Sequence, residues 1–222
     1  MITVGYGVLA RLSKGVVAMV FVAFAAQAQP VTVLALGDSL TAGYGLAQDE
    51  GFVPQLEAWL KDRGVSARVI NGGVSGDTSA GGAARINWAL TPEVNAVVVT
   101  LGGNDLLRGI PPEETRKHLS RILTELQNRD LPALLVGLPG PANFGPDYKA
   151  AFEANFETLA AEFQVPLEPN FLAAITDTLD PADTARLYLQ PDGLHPNREG
   201  VSRIVDAIGP KVLQIVPQAA VE

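Results

Sequence analysis

The chain has no cysteine in its 222 residues. Disulfides are therefore excluded, and so is an anchor made by lipidating a cysteine. It has only two histidines, His118 and His195, so any imidazole that shuttles protons near neutral pH is one of these. Cations are in deficit: 16 Lys and Arg against 24 Asp and Glu leave a net charge of −8. An acidic chain without a basic cluster is a poor partner for nucleic acid or for an anionic membrane surface. Heptads, internal repeats and low-complexity tracts are missing too. So are a P-loop lysine and any aromatic-rich stretch suited to a carbohydrate groove.

Long apolar runs are scarce as well. The run at 15–26 is too short to span a bilayer comfortably. It follows Arg11 and Lys14 and precedes Ala26-Gln27-Ala28, a small-x-small cleavage site. Basic, apolar and small segments in that order mark residues 1–28 as a secretory signal peptide. The expectation is an exported protein, periplasmic or secreted, with residues 29–222 as one domain and no stable membrane span after cleavage. An uncleaved N-terminal anchor is the alternative. Cleavage would remove Arg11 and Lys14 and leave the domain more acidic still. No feature sets an oligomeric state, and a monomer is the expectation.

What is present is an alternation of strand and helix signals. Apolar, β-branched runs at 31–36, 65–70, 96–101, 132–138 and 165–167 read as strands. Between them, apolar residues recur at helical spacing. Phe52, Val53, Leu56, Trp59 and Leu60 form one set, stopped by Gly64. Segments 78–90, 112–129 and 147–163 supply three more helices. A last one begins near Asn197, with Gly209-Pro210 expected to kink or break it and a frayed tail from Pro217. Such alternation predicts an α/β fold with a mostly parallel five-stranded sheet covered on both faces. Ligand sites in such sheets lie at the carboxyl ends of the strands. The first three predicted strands end at Gly37-Asp38-Ser39, Asn71-Gly72-Gly73 and Gly102-Gly103-Asn104-Asp105.

These strand ends carry the parts of an acyl-transfer site. Ser39 leaves a buried strand at a turn, where a hydroxyl can be exposed as a nucleophile once a base takes its proton. Near the C-terminus, Asp192-Gly193-Leu194-His195-Pro196 places a carboxylate three residues before a histidine on a turn. Asp192 can hold one ring nitrogen and leave the other for Ser39, while Pro196 keeps His195 out of the following helix. The N–H of Ser39, the N–H of Gly73 and the side-chain amide of Asn104 are candidate donors to a tetrahedral oxyanion. Asp38 reads as a residue bonding its own turn, and Asp105 as a brace for the Asn104 loop. Taken singly, each block also reads as ordinary structure: Ser39 as a helix cap, Gly72-Gly73 as a tight turn, Asn104 as an Asx turn, Asp192-Gly193 as a turn. His118 sits among charges on an amphipathic helix and reads as solvated. The G-x-S-x-G nucleophile elbow of α/β-hydrolases is absent at Ser39, because Thr41 occupies the last glycine position.

Four blocks in order resemble the GDSL-type, or SGNH, hydrolases. They are Ala35-Leu36-Gly37-Asp38-Ser39-Leu40-Thr41-Ala42-Gly43-Tyr44, Asn71-Gly72-Gly73-Val74-Ser75-Gly76-Asp77-Thr78, Leu101-Gly102-Gly103-Asn104-Asp105 and Asp192-Gly193-Leu194-His195-Pro196. Leu138-Pro139-Gly140-Pro141-Ala142-Asn143-Phe144-Gly145 is similar to a loop of the exported arylesterase branch, which includes thioesterases and lysophospholipases. The resemblance implies a flavodoxin-like three-layer α/β/α sandwich. It implies Ser39 as nucleophile, His195 as base, Asp192 as its orienter, and Ser39, Gly73 and Asn104 as the oxyanion hole. It implies a serine esterase acting on small-molecule carboxylic esters or thioesters, aryl or short-to-medium acyl, with no metal or organic cofactor. Segment 106–112 then corresponds to a loop that shapes the acyl pocket. A sugar or polysaccharide O-acetyl esterase is the alternative within the same chemistry. An exported anion-binding protein with glycine-rich phosphate-cradling loops is the alternative outside it.

Overall fold

The structure is a computed structural model and describes residues 1–2, 30–140, 142–177 and 179–217. All but the first two residues of the expected signal peptide, and the expected frayed tail beyond Pro217, lie outside the described residues.

Five strands form one sheet: β1 (Val31–Gly37), β2 (Ala67–Gly73), β3 (Val94–Thr100), β4 (Ala133–Val136) and β5 (Leu167–Glu168). Their order is β2-β1-β3-β4-β5 and every pairing is parallel. The expected sheet is thus present. The chain steps from β1 to β2 on one side, then crosses back to place β3 on the other. That reversal opens a crevice between the carboxyl ends of β1 and β3.

The strand residues explain the layers. Every residue of β1 is buried, and successive side chains enter opposite cores. Val31, Val33 and Ala35 join one apolar cluster with α2 (Phe52–Lys61) and α9 (Arg198–Ile215). Leu34 and Leu36 join the other, with α3 (Ser79–Ala89), α5 (Pro112–Asn128) and α6 (Pro146–Phe163). Helices therefore cover both faces, as an all-parallel sheet requires.

Several boundaries differ from expectation. The second strand begins later, at Ala67 rather than 65, and includes Asn71-Gly72-Gly73, at which it was expected to end. Leu36 and Gly37 pair with Gly72 and Gly73, so the β1 ladder extends the strand. Four short helices carry too few turns to show periodicity: α1 (Ser39–Ala42), α4 (Gly103–Leu107), α7 (Ala173–Thr176) and α8 (Pro181–Tyr188). A 3-10 turn covers Ala142–Phe144. Helix α9 is not broken at Gly209-Pro210 but continues to Ile215. Val212 and Ile215 are buried beyond the proline, and Gly209 packs directly under the Trp59 ring of α2. Tertiary burial outweighs the proline's local cost.

Candidate active site

Ser39 is the first residue of α1, immediately after β1. Asp38 caps that turn, accepting the Leu40 N–H at 3.0 Å through Oδ1. The turn is locked from below by Gly37, whose carbonyl accepts both the Val74 N–H at 3.0 Å and Arg85 Nη2 at 3.0 Å. Arg85 is itself held by Asp77 at 2.8 Å. The Asp77–Arg85 pair therefore ties the loop after β2 to the strand that delivers Ser39. Asp77 falls in the second sequence block, but Arg85 carried no signal, because a single arginine within a helix reads as a solvated charge.

His195 arrives from the other side of the crevice. Asp192 Oδ1 accepts the backbone N–H of Leu194 at 2.9 Å and of His195 at 3.0 Å. Asp192 Oδ2 lies 2.7 Å from His195 Nδ1. Gly193 has φ 68°, a left-handed conformation that glycine adopts without strain and that lets the turn fold back on itself. His195 Nε2 lies 2.9 Å from Ser39 Oγ. The three side chains anticipated from sequence thus form one continuous line.

The protonation state follows from these contacts. The N–H donors of His195 and Leu194, and then the His195 ring, hold the Asp192 carboxyl down at about 2. An ionised carboxylate only accepts, so Nδ1 carries the ring proton. In neutral imidazole Nε2 is then the acceptor and faces the Ser39 hydroxyl. Asp38 experiences the opposite environment. Burial pushes its carboxyl up to about 6, against the lowering influence of the Leu40 N–H and the Asn104 amide.

The loop bearing His195 is fastened by Gln190. Its Nε2 donates to the carbonyl of Tyr44 at 2.8 Å and of Pro196 at 3.0 Å. Its own N–H donates to the His195 carbonyl at 2.8 Å. One side chain therefore clasps the segment after Ser39 to the segment after His195. Sequence reading missed it, since a glutamine in a loop carries no signal of its partner 146 residues away. Tyr44 also packs its ring against His195, with centroids 4.7 Å apart.

The three candidate oxyanion donors stand at neighbouring strand ends. Asn104 Nδ2 donates to Asp38 Oδ2 at 3.3 Å, and the Gly73 N–H donates to Asn71 Oδ1 at 2.9 Å. Ser39 and Asn104 line the adjacent cavity, and Gly73 packs closely against α1. A Cβ at 73 would fall 2.7 Å from the Ala42 Cα, so the close approach of α1 to β2 requires glycine there. Asp105 is fully buried. It accepts the Ser79 N–H at 2.7 Å, the Ser79 hydroxyl, and the Thr115 hydroxyl at 3.2 Å. It braces the Asn104 loop against α3 and α5. His118 is on α5, 3.7 Å from Glu114, and takes no part in the site.

A cavity of about 660 Å³ opens beside Ser39 and His195. Leu106, Leu107, Leu138, Pro139, Leu172 and Leu194 supply most of its apolar wall. The expected loop 106–112 contributes the first two. Among the described residues, no cluster of His, Asp or Glu could hold a metal ion, and no helix is long and apolar enough to cross a membrane.

Residues 35–203 match the GDSL-like Lipase/Acylhydrolase family. The chain is 36% identical to Esterase TesA of Pseudomonas aeruginosa over 202 residues, covering 90% of this chain and 96% of the relative. It is 38% identical to Thioesterase 1/protease 1/lysophospholipase L1 of Escherichia coli over 187 residues, covering 83% of this chain and 85% of the relative. The crystal structure of AlinE4, an SGNH-hydrolase family esterase, superposes with a TM-score of 0.68 at 42% identity, covering 85% of this chain and 98% of the other. With a parallel 2-1-3-4-5 sheet and the Ser39–His195–Asp192 line at its crevice, the chain belongs to the GDSL-like lipase/acylhydrolase, or SGNH, family of carboxylic ester hydrolases.

Proposed function

We propose that the protein hydrolyses carboxylic esters and thioesters through an acyl-enzyme on Ser39. The observation that carries this reading is the line from Ser39 Oγ through His195 to Asp192 at the mouth of an apolar cavity. Ser39 Oγ bonds to the substrate carbonyl carbon while its proton passes to His195 Nε2. The imidazolium so formed is stabilised by the Asp192 carboxylate across the Nδ1–H bond. Collapse of the tetrahedral intermediate breaks the bond to the alcohol or thiol, which leaves with the proton from Nε2. Water then repeats the sequence: it gives a proton to Nε2, attacks the acyl carbon, and Ser39 leaves with that proton returned.

The oxyanion is met by the N–H groups of Ser39 and Gly73 and the Asn104 amide. Asp38 and Asn71 hold the latter two donors in the resting state. A developing negative oxygen draws the Gly73 N–H from the neutral Asn71 amide, since hydrogen bonds to a charged acceptor are about twice as strong as neutral ones, and the Asn104 amide, on a long 3.3 Å bond to Asp38, turns to it as well. The apolar wall suits the chain of a fatty acyl or aryl ester, because a sugar requires convergent polar groups. Named relatives include an esterase and a thioesterase/lysophospholipase. Short-to-medium acyl esters, acyl thioesters and lysophospholipids are the corresponding substrate classes for this chain. The reading also keeps residues 1–28 as an export signal, with the domain acting in the periplasm or outside the cell.

Replacing Ser39→Ala tests the mechanism. The variant should keep the circular dichroism spectrum and melting behaviour of the parent and lose hydrolysis of p-nitrophenyl acetate and butyrate by roughly 10⁵-fold or more. A folded Ser39→Ala protein with parental turnover would refute it.

A further inference from the structure

Apart from Trp88, Leu179 and Leu187, the large apolar side chains exposed among the described residues from 30 onward gather around the site. Tyr44, Val74, Leu107, Phe144 and Leu194 are each between 44% and 56% exposed. One lies on the segment after each of β1, β2, β3 and β4, and the fifth is on the loop that carries His195. Every chain segment that frames the site from these directions thus presents one apolar side chain to water. Tyr44, Leu107 and Leu194 also line the cavity. Val74 adjoins Ser75, and Phe144 adjoins Asn143, both of which line it too. The rim is therefore continuous with the cavity wall. A single exposed Leu requires no explanation, but five apolar side chains set around one site mark a surface that meets another apolar phase.

We propose that this rim docks the protein on the surface of a zwitterionic lipid aggregate, so that an acyl chain passes from the aggregate into the cavity without crossing water. The inference rests on the acyl-ester reading above: a substrate with a long apolar tail resides in such aggregates. Charge selects the kind of surface. A net charge of −8 opposes approach to an anionic bilayer. The exposed Arg108 stands beside Leu107, held by the Gly76 carbonyl at 2.7 Å. Its guanidinium suits the phosphate of a zwitterionic headgroup.

The absence of cysteine makes a direct test simple. In the full chain carrying Ser39→Ala, Val74→Cys is labelled with a polarity-sensitive nitrobenzoxadiazole dye. Asp62→Cys, exposed just beyond the C-terminal end of α2 and away from the rim, is the control. Phosphatidylcholine vesicles should brighten the dye at position 74 several-fold and shift its emission to the blue, with no change at 62. Vesicles containing phosphatidylglycerol should give a weaker response. Attachment through the apolar run at 15–26 would not immerse position 74. Adding Phe144→Ser should weaken the vesicle titration about fivefold. With Ser39 intact, the same substitution should leave hydrolysis of dissolved p-nitrophenyl acetate unchanged.

No response at position 74 overturns the proposal, and so does an equal response at 74 and 62. A change that follows protein concentration without vesicles also overturns it, because a second copy of the chain would then cover the rim. The two readings fail separately. Vesicle docking by a parent protein that hydrolyses no ester refutes the acyl-ester reading and leaves the surface standing. Ester hydrolysis without a vesicle response does the reverse.

Discussion

Two aspartates flank the Ser39–His195 pair, and their surroundings treat them in opposite ways. Asp38 is 2% exposed, and burial raises its carboxyl to about 6. The Asp192 side chain is 38% exposed, and three N–H donors hold its carboxyl at about 2. Asp38 directly follows the central strand β1 and positions groups: the α1 turn and the Asn104 amide. Asp192 belongs to a surface turn and sets its charge against the His195 ring. The difference teaches that donors, rather than depth, create a committed carboxylate. One half of the site is rigid because it is buried. The other half is rigid because a few side-chain to backbone bonds cross an exposed loop.

The comparison can be broken most forcefully at Asp192. Asp192→Asn removes the fixed negative charge and the preference for the Nδ1–H tautomer, and should lower kcat by roughly 10⁴-fold near neutral pH. Steady-state rates on p-nitrophenyl butyrate read this directly. A loss of less than tenfold would mean that the exposed turn does not supply the charge. On the buried side, Asn104→Ala should lower kcat by roughly 10²–10³-fold with a smaller change in KM. An unchanged kcat would remove Asn104 from the oxyanion hole.

Gln190→Leu sharpens the contrast, because it touches neither charge nor substrate. It cuts the clasp between the Tyr44 and Pro196 carbonyls. We expect kcat to fall about tenfold as His195 loses its register to Ser39, with KM near the parental value. Equal kcat would show that the Asp192 turn holds itself.

The smallest effect concerns Asp38 and is read in stability. Its ordinary value of 3.8 rises to about 6 on folding. Between about pH 4 and pH 6 the folded state therefore retains a proton that the unfolded chain has released. Stability from this group is greatest below that window and falls as the pH rises through it. Asp38→Asn should flatten this part of the curve in urea denaturation series. A variant with the parental slope would place the titration elsewhere.

Much of this organisation was legible along the chain. Apolar runs such as 31–36 report strands buried on both faces, and the 3.6-residue spacing of Leu119, Ile122, Leu123 and Leu126 reports a helix. The blocks around Ser39, Gly73, Asn104 and Asp192–His195 were legible because each couples a reactive or donor side chain to a strand end or a turn. Single-turn helices such as α1 and α4 were not, since periodicity needs several turns to register. The continuation of α9 through Pro210 was not either, because it depends on Trp59 of another helix.

By itself, the sequence determined the alternation of elements, the acidic balance, and the residue types that can perform acyl transfer. Those properties are local, set by hydropathy period and side-chain chemistry. Only the tertiary structure decided that Ser39 Oγ and His195 Nε2, 156 residues apart, stand at 2.9 Å. The same holds for the Gln190 clasp, for the Asp38–Asn104 contact, and for the five apolar side chains gathered around one cavity. Such contacts arise where a parallel sheet reverses its winding and collects strand ends distant in sequence at a single crevice.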